Sequence, residues 1–261
     1  MLEDEIFDID ADGEIDVEID FDIGDFSFSD AAPEETRIMR PSMPESATHN
    51  FVKFDNALEL AMEMDLEPGA RTTCIVSGNF ILGDLLEALI IHRGIGCTQL
   101  YINTLSLSQD NIDSIRTIMD CRPDLEKVNI LLSAYFYSHE KHGLVKYMYD
   151  TLDIDNRLQV CFVNTHCKVY MFETARGNKY VLHGSANLRS SSNIEQMDME
   201  NSAPLYEFYQ GMFDRLIERF PTINYAVPKI ARGKKSWQVV ADAEEDQAKS
   251  SQAQQHPGAG Q

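Results

Sequence analysis

The chain has 261 residues, enough for one large domain or for one domain with tails. Its 43% apolar content is ordinary for a globular protein. The net charge of -21 excludes non-specific nucleic-acid binding by the surface as a whole, though not a local basic groove. The start is acidic where a secretory signal would be basic, and no apolar run approaches the roughly 18 residues of a membrane span, so a cytoplasmic protein without membrane contact is expected.

The acidity is concentrated at one end. Residues 1–36 hold 15 Asp and Glu and no Lys or Arg, whereas the remainder carries 28 acids against 22 bases. Residues 3–23 alternate acid and apolar, as in Asp16-Val-Glu18-Ile-Asp20-Phe-Asp22. Period two predicts an edge strand with one carboxylate face, while the charge density predicts disorder unless the apolar face is covered. Asp8-x-Asp10-x-Asp12-Gly13 matches the first half of a calcium loop, but the twelfth position is Ile19 and no helix flanks it, so a solvated segment is the better reading.

Residues 37–69 read as a linker, with Pro41, Pro44 and several serines, followed by a short helix over about 55–65 that starts at Asp55 or Asn56 and stops near Pro68-Gly69. A folded domain over 70–228 then alternates. Strands are predicted over 72–80, 99–105, 127–134 and 158–163. Helices are predicted over about 84–93, with Asp84 as cap, Glu87 in the capping box and Gly94 as stop, over 109–121, closed by Arg122-Pro123, and over 140–151. A last helix, about 204–220, has Pro204 in its first turn and an apolar stripe of Leu205, Phe208, Tyr209, Met212, Phe213, Leu216, Ile217 and Phe220, read as core or subunit contact. This order predicts an α/β fold, a mixed sheet with helices on both faces. Residues 229–261 begin with a basic patch, Lys229, Arg232, Lys234 and Lys235 beside the single Trp237, which suits a nucleic-acid backbone and a stacked base or else a solvated segment, and end in a tail of disordered composition. The five cysteines, Cys74, Cys97, Cys121, Cys161 and Cys167, show no Cys-x-x-Cys spacing and are expected as reduced thiols.

The chemistry lies in residues 166–195. His166-Cys-Lys168-Val-Tyr-Met-Phe-Glu173 is followed after ten residues by Gly184-Ser185-Ala-Asn187 and then by Asn193-Ile-Glu195. On an extended strand His166 and Lys168 leave the same face and Cys167 faces the core. A neutral imidazole is a nucleophile, an ammonium holds a phosphate, and Asn187 supplies an amide to an anionic oxygen. Gly184 and Ser185 end an apolar run in a small-residue turn, where backbone can approach a ligand. A second His-x-Lys, His139-Glu-Lys141, lacks the Gly-Ser-x-Asn and reads as a solvated helix start.

The full set resembles the HKD signature of the phospholipase D / nuclease superfamily, over about residues 70–220, and is similar to its single-motif bacterial nucleases. One departure is Glu173, where the family usually has Asp. The resemblance implies a phospholipase D-like mixed sheet and a nuclease, a metal-independent phosphodiesterase that needs no cofactor because lysine and histidine supply the positive charge. It implies a homodimer with His166 of each chain in one cleft, one imidazole forming a phosphohistidine and the other protonating the leaving oxygen. Lys168, Asn187 and Gly184 would bind the phosphate, Ser185 would bind it or hold His166, and Glu173 and Glu195 would fix the imidazole tautomer. His183 is expected to be structural. The partner is nucleic acid, DNA more than RNA, with the acidic segment engaging either its own groove or a basic protein. Two other readings stay open: a non-catalytic nucleic-acid or protein-binding module, and a lipid phosphodiesterase.

Overall fold

The computed structural model describes residues 48–54 and 230–231 as backbone, and residues 56–76, 81–189 and 193–222 with their side chains. The acidic segment 1–36, residues 77–80 at the end of the first predicted strand, and the cations and Trp237 of the basic patch lie outside the described residues. All described residues belong to the second of two units, Pro41–Gln261.

Among the described residues nine strands form one sheet: β1 (Thr48–Phe54), β2 (Ala70–Val76), β3 (Gln99–Thr104), β4 (Lys127–Ser133), β5 (Leu158–Val163), β6 (Val169–Glu173), β7 (Lys179–Gly184), β8 (Glu195–Asn201) and β9 (Ile230–Ala231). Their order across the sheet is β1-β2-β8-β7-β6-β3-β4-β5-β9. β3, β4 and β5 pair in parallel, while β6, β7 and β8 form an antiparallel meander inserted between β3 and β2. The helices are α1 (Ala57–Glu63), α2 (Leu82–Glu87, continuing as a π turn over Ala88–His92), α3 (Gln109–Cys121), α4 (Ala134–Glu140), α5 (Leu144–Leu152) and α6 (Ala203–Arg219). The α/β architecture matches the mixed sheet read from the sequence.

Strand alternation divides the core in two. Leu100, Ile102, Val128, Ile130, Val160, Phe162, Tyr170, Phe172, Leu182, Met197 and Met199 join one buried cluster with α1, α2, α3 and α5. On α3 that cluster takes Ile112, Ile115, Ile118 and Met119, a helical stripe. The opposite face, with Tyr101 and Cys161, meets α6. Tyr101 packs edge-on to Tyr206 and Phe213, at centroid distances of 6.1 and 5.3 Å, and the Cys161 thiol reaches the Leu216 carbonyl at 3.4 Å. The buried stripe of α6 is narrower than its sequence suggests. Leu205, Tyr206, Phe213, Leu216 and Phe220 are buried, while Phe208, Tyr209 and Met212 are only partly so.

Three local readings are corrected. α2 begins at Leu82, and Asp84 caps nothing but accepts a hydrogen bond from Ser114 at 2.8 Å. α4 is an additional helix, capped by Ser133 through Phe136 N–H, so His139 ends a helix instead of starting one. β1 lies inside the predicted linker, because a parallel partner in β2 gives its backbone a ladder that local composition does not reveal. Gly94, at φ +71°, ends the α2 segment as its position implies. Among the described residues, no helix is long and apolar enough to cross a membrane.

The pairing directions set the site. The C-terminal ends of β3, β4, β5 and β7 and the starts of β6 and β8 share one edge of the sheet. Every motif residue except Glu173 falls on that edge.

Candidate active site

Residues 164–168 connect β5 to β6 and carry His166 and Lys168 just before the strand, not on it. The connection is tied down locally. Thr165 N–H donates to Val163 O at 3.0 Å, the Thr165 hydroxyl donates to the buried Asn103 amide oxygen at 2.8 Å, and Cys167 N–H donates to the Thr165 hydroxyl at 3.3 Å. Thr165 and Asn103 were not singled out by sequence reasoning, since nothing local links residues 62 positions apart. In this conformation Cys167 is exposed, which corrects its expected burial. Strand alternation does not apply to an irregular connection.

Lys168 reaches back to its neighbour. Its Nζ lies 3.0 Å from His166 Nδ1 and donates to the His166 carbonyl at 2.9 Å. An ammonium has only donors, so Nδ1 is the acceptor and the neutral ring carries its proton on Nε2. The unprotonated nitrogen and the ammonium therefore face each other. Partial burial lowers the Lys168 pKa from its ordinary value, against the opposing charges of Cys167 and Glu195. Lys168 O accepts from Gly184 N–H at 3.2 Å, which joins the connection to the end of β7.

Gly184 is required by its neighbour strand. A Cβ there would lie 2.1 Å from the Gln196 carbonyl oxygen of β8. That close approach lets Ser185 N–H donate to Gln196 O at 2.9 Å, while Gln196 N–H donates to the Ser185 hydroxyl at 3.0 Å and the hydroxyl donates to a Glu195 carboxylate oxygen. Asn187 is held at the end of β3: its side-chain oxygen accepts from Leu105 N–H at 3.3 Å and from the Thr104 hydroxyl at 3.4 Å, leaving amide N–H groups to donate to a ligand. The buried Tyr170 hydroxyl supports this turn from below by donating to Ala186 O at 2.8 Å.

Neither predicted acid reaches the His166 ring. Glu173 ends β6, opposite Lys179 and Gln99, with its carbonyl accepting from Thr98 N–H at 2.7 Å. A strand rises about 3.3 Å per residue, so Glu173 sits roughly 16 Å from the Lys168 end. Glu195 is at the site, where a carboxylate oxygen accepts from the Ser185 hydroxyl. Among the described residues no carboxylate hydrogen-bonds His166.

A buried carboxylate does hold the other imidazole. His183 Nε2 lies 3.0 Å from Glu200 Oε1, and the Glu200 side chain is 7% exposed. Beside it Asp198 pairs with Arg71 at 3.0 Å and accepts from Gln196 Nε2 at 2.6 Å and from the Thr73 hydroxyl. Burial pushes the Asp198 carboxyl up, but the hydrogen bonds from Arg71 and Thr73 and the charges of Arg71 and His183 outweigh it and leave it below the ordinary carboxylate value. The sequence signal for this row is the period-two run Gln196-Met-Asp198-Met-Glu200, with polar and apolar faces. An open cleft of about 380 Å³ runs alongside, lined by Cys167, Lys168, His183, Ser185, Gln196 and, from α6, Tyr209, among others.

No family model and no curated protein matches the chain. Similar solved structures include NucT from Helicobacter pylori, with a TM-score of 0.42 and 19% identity over 57% of this chain and 96% of that one. Nuc from Salmonella typhimurium, a phospholipase D family member, has a TM-score of 0.41 and 14% identity over 57% and 95% of the two chains. TrmBL2, an archaeal chromatin protein, has a TM-score of 0.40 and 13% identity over 62% and 58%.

Proposed function

We propose that this chain is a phosphodiesterase acting on nucleic acid, with His166 as nucleophile and Lys168 and Asn187 as the groups that bind the phosphate oxygens. The observation that carries this reading is the contact of the Lys168 ammonium with His166 Nδ1, at a sheet edge shared with Ser185, Asn187 and Glu195. A phosphate drawn to Lys168 takes up the ammonium and frees the imidazole lone pair facing it. The nitrogen then attacks phosphorus, a P–N bond forms, and the P–O bond to the leaving alcohol breaks as a second imidazole, whose own lysine has also turned to the phosphate and which has taken a proton from solvent, delivers that proton to the oxygen. The second imidazole afterwards takes a proton from water, which attacks phosphorus and releases His166. We take the second imidazole from a second copy of the chain, in a two-fold dimer that brings both His166 residues to one phosphate. Ser185, anchored on Glu195, keeps the turn before Asn187 in place.

Cleavage of single-stranded and duplex DNA in excess EDTA, compared with the His166→Ala variant, tests the reading. Cleavage that resists EDTA and is lost in the variant supports it. Absence of cleavage of any nucleic acid or model diester rejects it in favour of the second reading, a phosphate-binding module without turnover. That second reading draws on the absence, among the described residues, of a carboxylate hydrogen-bonded to His166. Light scattering tests the dimer, and a strictly monomeric active protein sinks it. DNA is the favoured polymer, and the acidic segment 1–36 is proposed to compete for the same groove; its removal should raise affinity for DNA.

A further inference from the structure

The cleft beside Lys168 has residues that the phosphoryl-transfer step does not use. Lys168 and Ser185 belong to both places, so whatever fills the cleft is contiguous with the phosphate. From there the cleft is walled by His183 and Gln196 of the sheet and by Tyr209 of α6. The rings of His183 and Tyr209 lie 6.4 Å apart at 45°. His183 is held by the buried Glu200 and Gln196 by Asp198, so both side chains are positioned from beneath, not free to swing. Among the described lining residues there is one cation and no acid. A cation, neutral donors and an aromatic ring lining one cleft suit an anionic group joined to a planar heterocycle. The volume of about 380 Å³ is in the range of small-ligand sites.

We propose that this cleft receives one unstacked nucleotide adjoining the phosphate at Lys168, with its base against Tyr209, so that the substrate is single-stranded rather than duplex nucleic acid. The inference rests on the phosphodiester reading above for the place of the phosphate. A base can reach a ring set between a helix and a sheet edge only after leaving its duplex stack, and stacking on an aromatic side chain tolerates any base. Burial raises the pKa of the Tyr209 phenol, so its hydroxyl stays protonated and adds a donor.

Methyl p-nitrophenyl phosphate and the p-nitrophenyl ester of thymidine monophosphate have the same leaving group and differ in the nucleoside. The protein should favour the nucleoside ester by about tenfold in kcat/KM, Tyr209→Ala should abolish that preference, and Tyr209→Phe, which keeps the ring, should retain it. A preference absent from the wild type, or surviving Tyr209→Ala, overturns the proposal. If no ester is cleaved, calorimetric titration with a short oligothymidine decides separately. Binding that persists in His166→Ala, weakens in Tyr209→Ala and is lost on pairing with oligoadenosine upholds the cleft and removes only the cleavage reading. Equal binding of single strand and duplex, binding indifferent to Tyr209, or no binding overturns the cleft.

Discussion

Two histidines stand at the same end of the sheet in opposite electrostatic settings. His166 is exposed, lies on an irregular connection and meets an ammonium at Nδ1. His183 is partly covered, lies on a strand and meets a buried carboxylate at Nε2. A carboxylate is acceptor-only, so it holds the proton on Nε2 of His183, whereas Lys168 excludes a proton from Nδ1 of His166. In the proposed mechanism the exposed imidazole is unlocked by a ligand that takes its lysine. The covered one is locked by the fold. In the proposed reading that difference gives reactivity to His166 and positioning to His183, although an imidazole–carboxylate pair taken alone would suggest the reverse.

Substitution of each imidazole tests this assignment most strongly. His166→Ala should lower kcat for diester cleavage by about a thousandfold or more with a modest change in KM, whereas His183→Asn should lose no more than about tenfold, chiefly in KM. Steady-state kinetics on one model diester checks both, and the opposite ranking would transfer the nucleophile to His183. Next in size is Gly184→Ala. The added methyl meets the β8 backbone, so a loss of about 3 kcal/mol in urea-unfolding stability is expected, together with loss of the Ser185 and Asn187 placement. A full-stability variant would show that β7 and β8 can separate at this end.

The network under His183 gives a smaller, pH-dependent effect. Asp198→Asn should cost about 2 kcal/mol at neutral pH, less than a fully buried pair because the Arg71 side chain is 34% exposed. The folded pKa of Asp198 lies below the ordinary value, so its contribution is present above about pH 4 and fades as pH falls through the depressed folded value. Thermal melts should therefore show the gap between wild type and variant closing in acid. A gap that widened in acid would mean that Asp198 is protonated in the fold. Smallest is Glu173→Asp. Because Glu173 is at the far end of β6, cleavage should change by less than about twofold, and a large loss would require that end of the strand to act on the site.

Several elements were legible because their causes are local. The β5 boundaries coincide with the apolar run Leu158–Val163, and α3 matches its predicted 109–121 span, ended at Arg122-Pro123. Asn187, Ser185 and Lys168 could be proposed from residue type and spacing, and the structure brings them to one sheet edge. Glu173 illustrates the limit: five positions along a sequence is a short count, but an extended strand turns that count into the depth of the sheet. Tyr209 illustrates it again, since its place in the helical stripe suggests core while the fold leaves it half-buried and lining a cleft.

By itself the sequence determined the periodicities, hence the mixed α/β elements, and the residue chemistry suited to phosphate, because hydrophobic alternation and functional-group chemistry act over a few residues. Only the tertiary structure decided which acid serves which base. It gave Glu195 to Ser185 and Glu200 to His183, because those pairings depend on which strands lie side by side and in which direction they run. That order is set by the packing of two faces of a sheet and is not written in the spacing of any one segment.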